Sequence, residues 1–150
     1  MIVNIKNIEL NEKKYNEIID LYNELALTDS RKLINKQILT YSKLLKIIEE
    51  LNTNHNIYFY IENDKIVGSI TLLIEQKLIH NGKCVGHIED FVVSENYRKK
   101  GIGSNLINYA INIAERSNCY KCILDCKNML ERFYEKKGFE KRGIYMAKYF

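Results

Sequence analysis

Proline and tryptophan are absent from this 150-residue chain, while Asn, Ile and Lys are abundant. That bias of composition makes the polar loops poor guides to function. No apolar run is long enough to span a bilayer, so membrane insertion is not expected. The opening Met1-Ile2-Val3-Asn4-Ile5 reads as the start of a strand, not as a charged leader followed by a long apolar stretch. A cytosolic location is the resulting expectation. Neither GxxxxGK[ST] nor GxGxxG occurs, which excludes a Walker loop and a Rossmann fingerprint. Basic residues are scattered apart from Arg98-Lys99-Lys100, and no nucleic-acid-binding motif surrounds them. Cysteine is limited to Cys84, Cys119, Cys122 and Cys126. Cys119-x-x-Cys122 suggests zinc or redox chemistry, but no second CxxC or HxxxH pair completes a ligand set. Cys122, Leu124 and Cys126 alternate along an apparent strand and so share one face, which favours buried, reduced thiols. No bound metal is expected.

The remaining composition is that of a soluble single domain spanning 1–150, with 46% hydrophobic and 28% charged residues. A net charge of +4 suits an anionic small ligand at least as well as nucleic acid. Periodicity predicts an α/β chain with a mixed sheet. A strand is expected over 2–8 and a helix capped by Asn11, with Ile18, Ile19, Tyr22 and Leu25 at helical spacing. A second helix is expected over 36–51. Strands over 57–62, 66–78 and 84–93 form an antiparallel meander, joined by turn signals at Asn63-Asp64 and Asn81-Gly82. A helix over 102–117 leads to a strand over 121–126, parallel to 84–93 because a crossover precedes it. A short helix over 129–137 ends at Gly138, and 139–150 closes the sheet.

Arg98-Lys99-Lys100-Gly101-Ile102-Gly103-Ser104 lies between a strand and a helix. Glycines allow a tight turn and close backbone approach to a ligand. The first-turn N–H groups of the helix then face an anion, aided by the helix dipole. On these residues alone, an anion cradle and a solvated basic loop are equally good readings. Two neighbouring features join it: Phe91-Val92-Val93 before it and Phe133-Tyr134-Glu135-Lys136-Lys137-Gly138-Phe139 after it. Together they resemble the GNAT acetyltransferases, with their (Arg/Gln)-x-x-Gly-x-(Gly/Ala) and FYxKxGF segments. The resemblance implies the GNAT (acyl-CoA N-acyltransferase) fold, a mostly antiparallel mixed sheet flanked by helices. It also implies acetyl-CoA as co-substrate, its diphosphate on the backbone amides of 98–104 and its pantetheine arm along Phe91, Val92 and Val93.

A narrower resemblance is dense from about residue 75 to 139. Lys77-Leu78-Ile79-His80, Gly86-His87-Ile88-Glu89-Asp90-Phe91-Val92-Val93, Asn118-Cys119-Tyr120-Lys121 and Leu124-Asp125-Cys126 are similar to glucosamine 6-phosphate N-acetyltransferases, as is Leu27-Thr28. It implies an acceptor site of Thr28, Lys77, Leu78, Ile79, His80, Glu89, Asp90, Tyr120 and Lys121. Lys77, His80 and Lys121 supply charge to the phosphate, Thr28 a hydroxyl, and Glu89 and Asp90 acceptors for sugar hydroxyls or the amine. On a regular strand Glu89 and Asp90 point to opposite faces, so a shared role needs a bulge, which GNAT folds carry near here. His87, inside a strand, reads as a satisfied core histidine and is left out of the site.

The implied mechanism is direct transfer in a ternary complex, a step towards UDP-N-acetylglucosamine. Asp125 is the first candidate to accept the amine proton and Glu89 the second. Backbone N–H groups of Val92 or Val93 face the oxyanion, and Tyr134 protonates or stabilises the leaving thiolate. The coenzyme also meets Asp125 and Tyr134. A homodimer is implied, with sites built partly from the partner chain. Two positions depart from the family pattern. Leu130 stands where an asparagine on the pantetheine arm is common, with Asn128 nearby. Tyr149 stands where an arginine on the sugar phosphate is common, leaving that role to Lys77, His80 and Lys121 or to a shifted C-terminus. The alternatives are a GNAT enzyme acting on another amine, such as a polyamine or a protein N-terminus, and a non-enzymatic acyl-CoA sensor.

Overall fold

The computed structural model describes residues 1–27 and 39–149. Thr28, Phe150 and the start of the expected second helix lie outside the described residues. Strands β1 (Ile2–Asn4), β2 (His55–Glu62), β3 (Lys65–Gln76), β4 (Cys84–Val93) and β5 (Cys119–Ile123) form one sheet in sequence order. Pairings from β1 to β4 are antiparallel, and β4–β5 is parallel. Helix α3 (Ile102–Arg116) makes the β4–β5 crossover and buries Ile102, Leu106, Ile107, Ala110 and Ala114 against Ile70, Leu72 and Ile88 on one face. Helices α1 (Glu12–Ala26) and α2 (Tyr41–Glu50) cover the other face, where Ile18, Leu21 and Leu44 meet Phe59, Ile66 and Val92. A short α4 (Glu131–Glu135) follows β5. Among the described residues, no helix is long and apolar enough to cross a membrane.

Local chemistry explains most boundaries. Asn11 caps α1, its side-chain oxygen accepting the Lys14 N–H at 2.9 Å. Asn63 and Asp64 both take left-handed φ, as a two-residue hairpin turn requires. Lys13 and Lys14 of α1 bind Asp64 at 2.6 and 3.1 Å, and Glu17 accepts the Ile66 N–H at 3.0 Å. The hairpin is thereby fixed to the helix.

Four expectations need correction. The first strand ends at Asn4, whose side chain accepts the Lys6 N–H at 3.0 Å and turns 5–7 into a single 3-10 turn. β3 ends at Gln76, short of the expected 78, while the hairpin expected at Asn81-Gly82 forms through a 3-10 turn, His80–Gly82, with His80, Asn81 and Gly82 all at positive φ. β5 begins at Cys119, earlier than expected, because Cys84 of β4 pairs with it there; the shift to Val85↔Lys121 makes Tyr120 an extra, bulged residue. Residues 139–149 form no strand. Their apolar side chains Ile144 and Met146 are 91% and 87% exposed, so within one chain this segment has no buried face to stabilise an extended conformation.

Candidate active site

The end of β4 places the chemistry. Thr71 of β3 pairs with Glu89 and Ser69 with Val92, so Asp90 and Phe91 together oppose Ile70. This is a bulge, and Asp90 takes φ +45° at it. The bulge turns Asp90 out of strict alternation, toward the α1 side that Glu89 already faces. Burial raises the Asp90 carboxyl above its usual range, and His55 opposes that shift. Glu89 is raised as well, first by burial, then by the charges of Asp125 and Asp90. Below them, the half-buried Tyr22 shares a hydrogen bond with Ser69 at 2.9 Å, and burial pushes its phenol up to about 12. The β4–β5 pairing ends at His87↔Ile123. Beyond it the strands part, and residues 88–93 run on with no parallel partner on that side.

An open groove of about 1110 Å³ lies along this parting, lined by His87, Glu89, Lys121, Asp125, Asn128 and Tyr134 among others. Tyr134 is only 6% exposed and is boxed by Phe133 at 5.0 Å, Phe139 at 5.9 Å and Phe91 at 6.3 Å between ring centres. Burial holds its hydroxyl protonated far above the usual phenol range. It is therefore a hydrogen-bond donor at neutral pH.

Just past this same end of β4, Gly101 caps α3 with φ +82° and supplies no side-chain acceptor to the first-turn amides. Lys99 is also left-handed. A Cβ on Gly103 would lie 3.2 Å from the Phe91 ring, so glycine lets the first turn of α3 approach β4 closely. Lys100 stands 4.7 Å over the Tyr97 ring and Lys65 5.9 Å from it. Arg98 donates from Nε to the Val93 carbonyl at 2.9 Å. The uncapped first-turn amides of α3 and the lysines of the turn can take an anionic group such as a phosphate.

The expected acceptor residues gather on the sheet face beyond Glu89. Lys121 and Tyr120 line the groove, and the His80 ring lies 4.1 Å from that of Tyr120. The Lys121 ammonium is 5.4 Å from the same tyrosine. Lys77 is held at 2.5 Å by Glu75. Leu78 and Ile79 are 99% and 63% exposed and make no enclosed pocket within one chain. His87 is not a core histidine. It shares the face of Glu89, lines the groove and pairs with the second oxygen of Glu75 at 2.7 Å. Its two-residue spacing from Glu89 was the signal for this placement. The thiols are free. Cys119 and Cys122 pack on the α3-side core, whereas Cys126 is exposed rather than buried. Burial lifts the Cys122 thiol to about 11. Among the described residues, no group of three or more His, Cys, Asp or Glu is placed to hold a metal ion.

Residues 16–139 match the acetyltransferase (GNAT) family. The chain belongs to that family. GNAT acetyltransferases use acetyl-CoA. The glucosamine 6-phosphate N-acetyltransferase 1 of Dictyostelium discoideum is 36% identical over 144 residues, covering 92% of this chain and 83% of that one. The Arabidopsis thaliana glucosamine 6-phosphate N-acetyltransferase is 30% identical, covering 97% and 95%. The crystal structure of glucosamine-6-phosphate N-acetyltransferase from Arabidopsis thaliana superposes with a TM-score of 0.83, covering 100% of this chain and 97% of that chain. This GNAT chain therefore shares the fold of that Arabidopsis structure over nearly its whole length.

Proposed function

We propose that the protein transfers the acetyl group of acetyl-CoA to the amine of D-glucosamine 6-phosphate, giving N-acetylglucosamine 6-phosphate and CoA. Full-length similarity to enzymes of that name supports the acceptor. The bulge at Asp90 carries the reading on the structural side, because it gathers two carboxylates on the face that also holds His87 and Lys121. Acetylation of a sugar phosphate in this way precedes activation of the sugar by a nucleotide, here towards UDP-N-acetylglucosamine in the cytoplasm.

The backbone amides at Arg98–Ser104 hold the diphosphate, with Lys99 and Lys100 at its rim. The main chain of Phe91–Val93, unpaired by β5, orients the pantetheine arm. Asn128 lines the groove and takes the contact that Leu130 cannot make. When bound, acetyl-CoA supplies the electrophilic thioester carbonyl. Glu89, with Asp125 beside it, accepts the proton of the attacking amine; its raised pKa suits that task better than an ordinary carboxylate. The N–H of Val92 or of Val93 faces the oxyanion. Tyr134 donates its phenolic proton to the departing sulfur. Lys121, Lys77 and His80 hold the sugar phosphate, with Leu78, Ile79, Asp90, Tyr120 and Thr28 completing the acceptor side.

The active assembly is a homodimer in which 139–149 pairs with the partner chain. The exposed Ile144, Tyr145 and Met146 support this, as does the position of 137–145 along the groove beside β5. Light scattering reads it directly; a monomer at assay concentration would refute it. Thiol release from acetyl-CoA across glucosamine 6-phosphate, glucosamine, a polyamine and an N-terminal peptide tests the acceptor. Glucosamine 6-phosphate is expected to give the highest kcat/KM by at least about tenfold. Equal rates with glucosamine would remove the phosphate specificity, and turnover of the peptide or polyamine alone would reassign the acceptor. Binding of acetyl-CoA without turnover of any amine would leave a sensor.

A further inference from the structure

The turn that enters the coenzyme cradle is fastened by a residue from the other end of the chain. Ser94 precedes a 3-10 turn, Glu95–Tyr97, and is its N-cap residue, yet its side chain makes no capping bond. Its hydroxyl instead donates to Oε1 of Glu24, in the last turns of α1, at 2.9 Å. The Glu95 N–H donates to Oε2 of the same carboxylate, also at 2.9 Å. Glu24 thus supplies from a distant helix the acceptor that a cap normally supplies locally. Inside the turn, the Tyr97 and Arg98 N–H groups bond to the carbonyls of Ser94 and Glu95 at 2.8 and 3.3 Å. The main chain therefore leaves this clamp directly into Arg98–Ser104, whose amides the coenzyme needs.

Charge alone does not account for the contact. Arg98 Nη2 is 3.8 Å from Glu24 Oε2, with about half of the arginine side chain exposed, and a pair of that kind contributes little. A carboxylate near a diphosphate site is also electrostatically unfavourable for the ligand. The two hydrogen bonds to the turn are the part of the arrangement that favours binding, because they fix the direction of the following amides before the ligand arrives.

We propose that Glu24 is a positioning residue for acetyl-CoA, acting as a cap in trans on the 94–97 turn so that the amides of 98–104 are preorganised for the diphosphate. The proposal rests on the acetyl-CoA reading above. A positioning role predicts a defect confined to ligands that carry the diphosphate. The test compares acetyl-CoA with S-acetylpantetheine, which has the same reactive end and no diphosphate. Glu24→Ala is expected to raise KM for acetyl-CoA about fivefold, the usual effect of deleting a helix cap, and to leave KM for S-acetylpantetheine unchanged. Glu24→Gln retains an acceptor for the Glu95 N–H and is expected to stay within about twofold of the parent. Ser94→Ala, which removes one hydroxyl only, is expected to give about a twofold rise and serves where Glu24→Ala does not fold. An unchanged acetyl-CoA KM in Glu24→Ala, or in Ser94→Ala where that variant stands in, overturns the proposal. So does an equal rise for both donors, which would mark a general support of the helix, or a Gln variant as impaired as Ala, which would make charge the operative term. Calorimetric affinities for CoA and pantetheine are read on the same variants. If the parent protein turned over no amine, the proposed function would fail, and the CoA-against-pantetheine difference would still decide the role of Glu24.

Discussion

The proposed coenzyme end and the proposed acceptor end of the site are built from different materials. At the coenzyme end the groups that matter are backbone amides, aimed by Gly101 at φ +82°, by Gly103 packed under Phe91 and by the hydrogen-bonded turn at 94–97. At the acceptor end they are side chains on exposed elements: Lys77 on Glu75, His80 on Tyr120, and Lys121 at the sheet edge. Backbone donors are fixed by the fold and tolerate most side-chain changes. Exposed side chains depend on their partners and, here, on whatever covers Leu78 and Ile79. The difference implies that substitutions should separate cleanly, with donor affinity sensitive to backbone geometry and acceptor affinity to single charges.

The sharpest way to break that separation is at the junction, where Tyr134 and Glu89 are proposed to serve the reaction itself. Tyr134→Phe keeps the ring among Phe91, Phe133 and Phe139 and removes only the hydroxyl. It is expected to lower kcat by about 10²-fold with KM for acetyl-CoA within about twofold. Equal kcat would end its role as the proton donor. At the acceptor end, Lys121→Ala should raise KM for glucosamine 6-phosphate about tenfold and leave glucosamine unaffected, as removal of one phosphate-facing cation requires. A rise for both acceptors would place Lys121 on the sugar ring instead. At the coenzyme end, Gly103→Val puts a branched side chain 3.2 Å from the Phe91 ring. A loss of about 1–3 kcal/mol in stability by denaturant titration is expected, with a higher KM for acetyl-CoA and an unchanged KM for the acceptor. A selective acceptor defect would show that the two ends are not separable.

The same contrast governs what could be read from the residues in order. β4 at 84–93 and the start of α3 at 102 follow from strong local periodicity and the glycine turn, and so does the cap at Asn11. Parallel pairing of β5 followed from the handedness of the crossover. The gathering of Glu89 and Asp90 did not follow from periodicity, since alternation sends neighbours to opposite faces; it needs the bulge opposite Ile70, where Asp90 takes positive φ. His87 was misassigned because period-two spacing names a face without saying whether core or groove covers it. Glu24 had no sequence signal at all, since its partners lie 70 and 71 residues away. The apolar residues near the C-terminus have a strand-like pattern, but a strand also needs a neighbour to pair with, and one chain does not present it.

The smallest expected effect also discriminates most finely between the carboxylates. Burial raises the Glu89 pKa first; Asp125 and Asp90 then raise it further, and His87 lowers it. Glu89 accepts a proton only when ionised, so its pKa sets the acid limb of kcat/KM. Asp125→Asn removes a negative charge, favours ionised Glu89 and should move that limb to lower pH by about half a unit. His87→Gln removes the opposing influence and should move it to higher pH by a similar or smaller amount. The opposite signs of the two shifts carry the information. Shifts of the same sign, or complete loss of turnover in Asp125→Asn with near-normal turnover in Glu89→Gln, would transfer the proton-accepting role to Asp125.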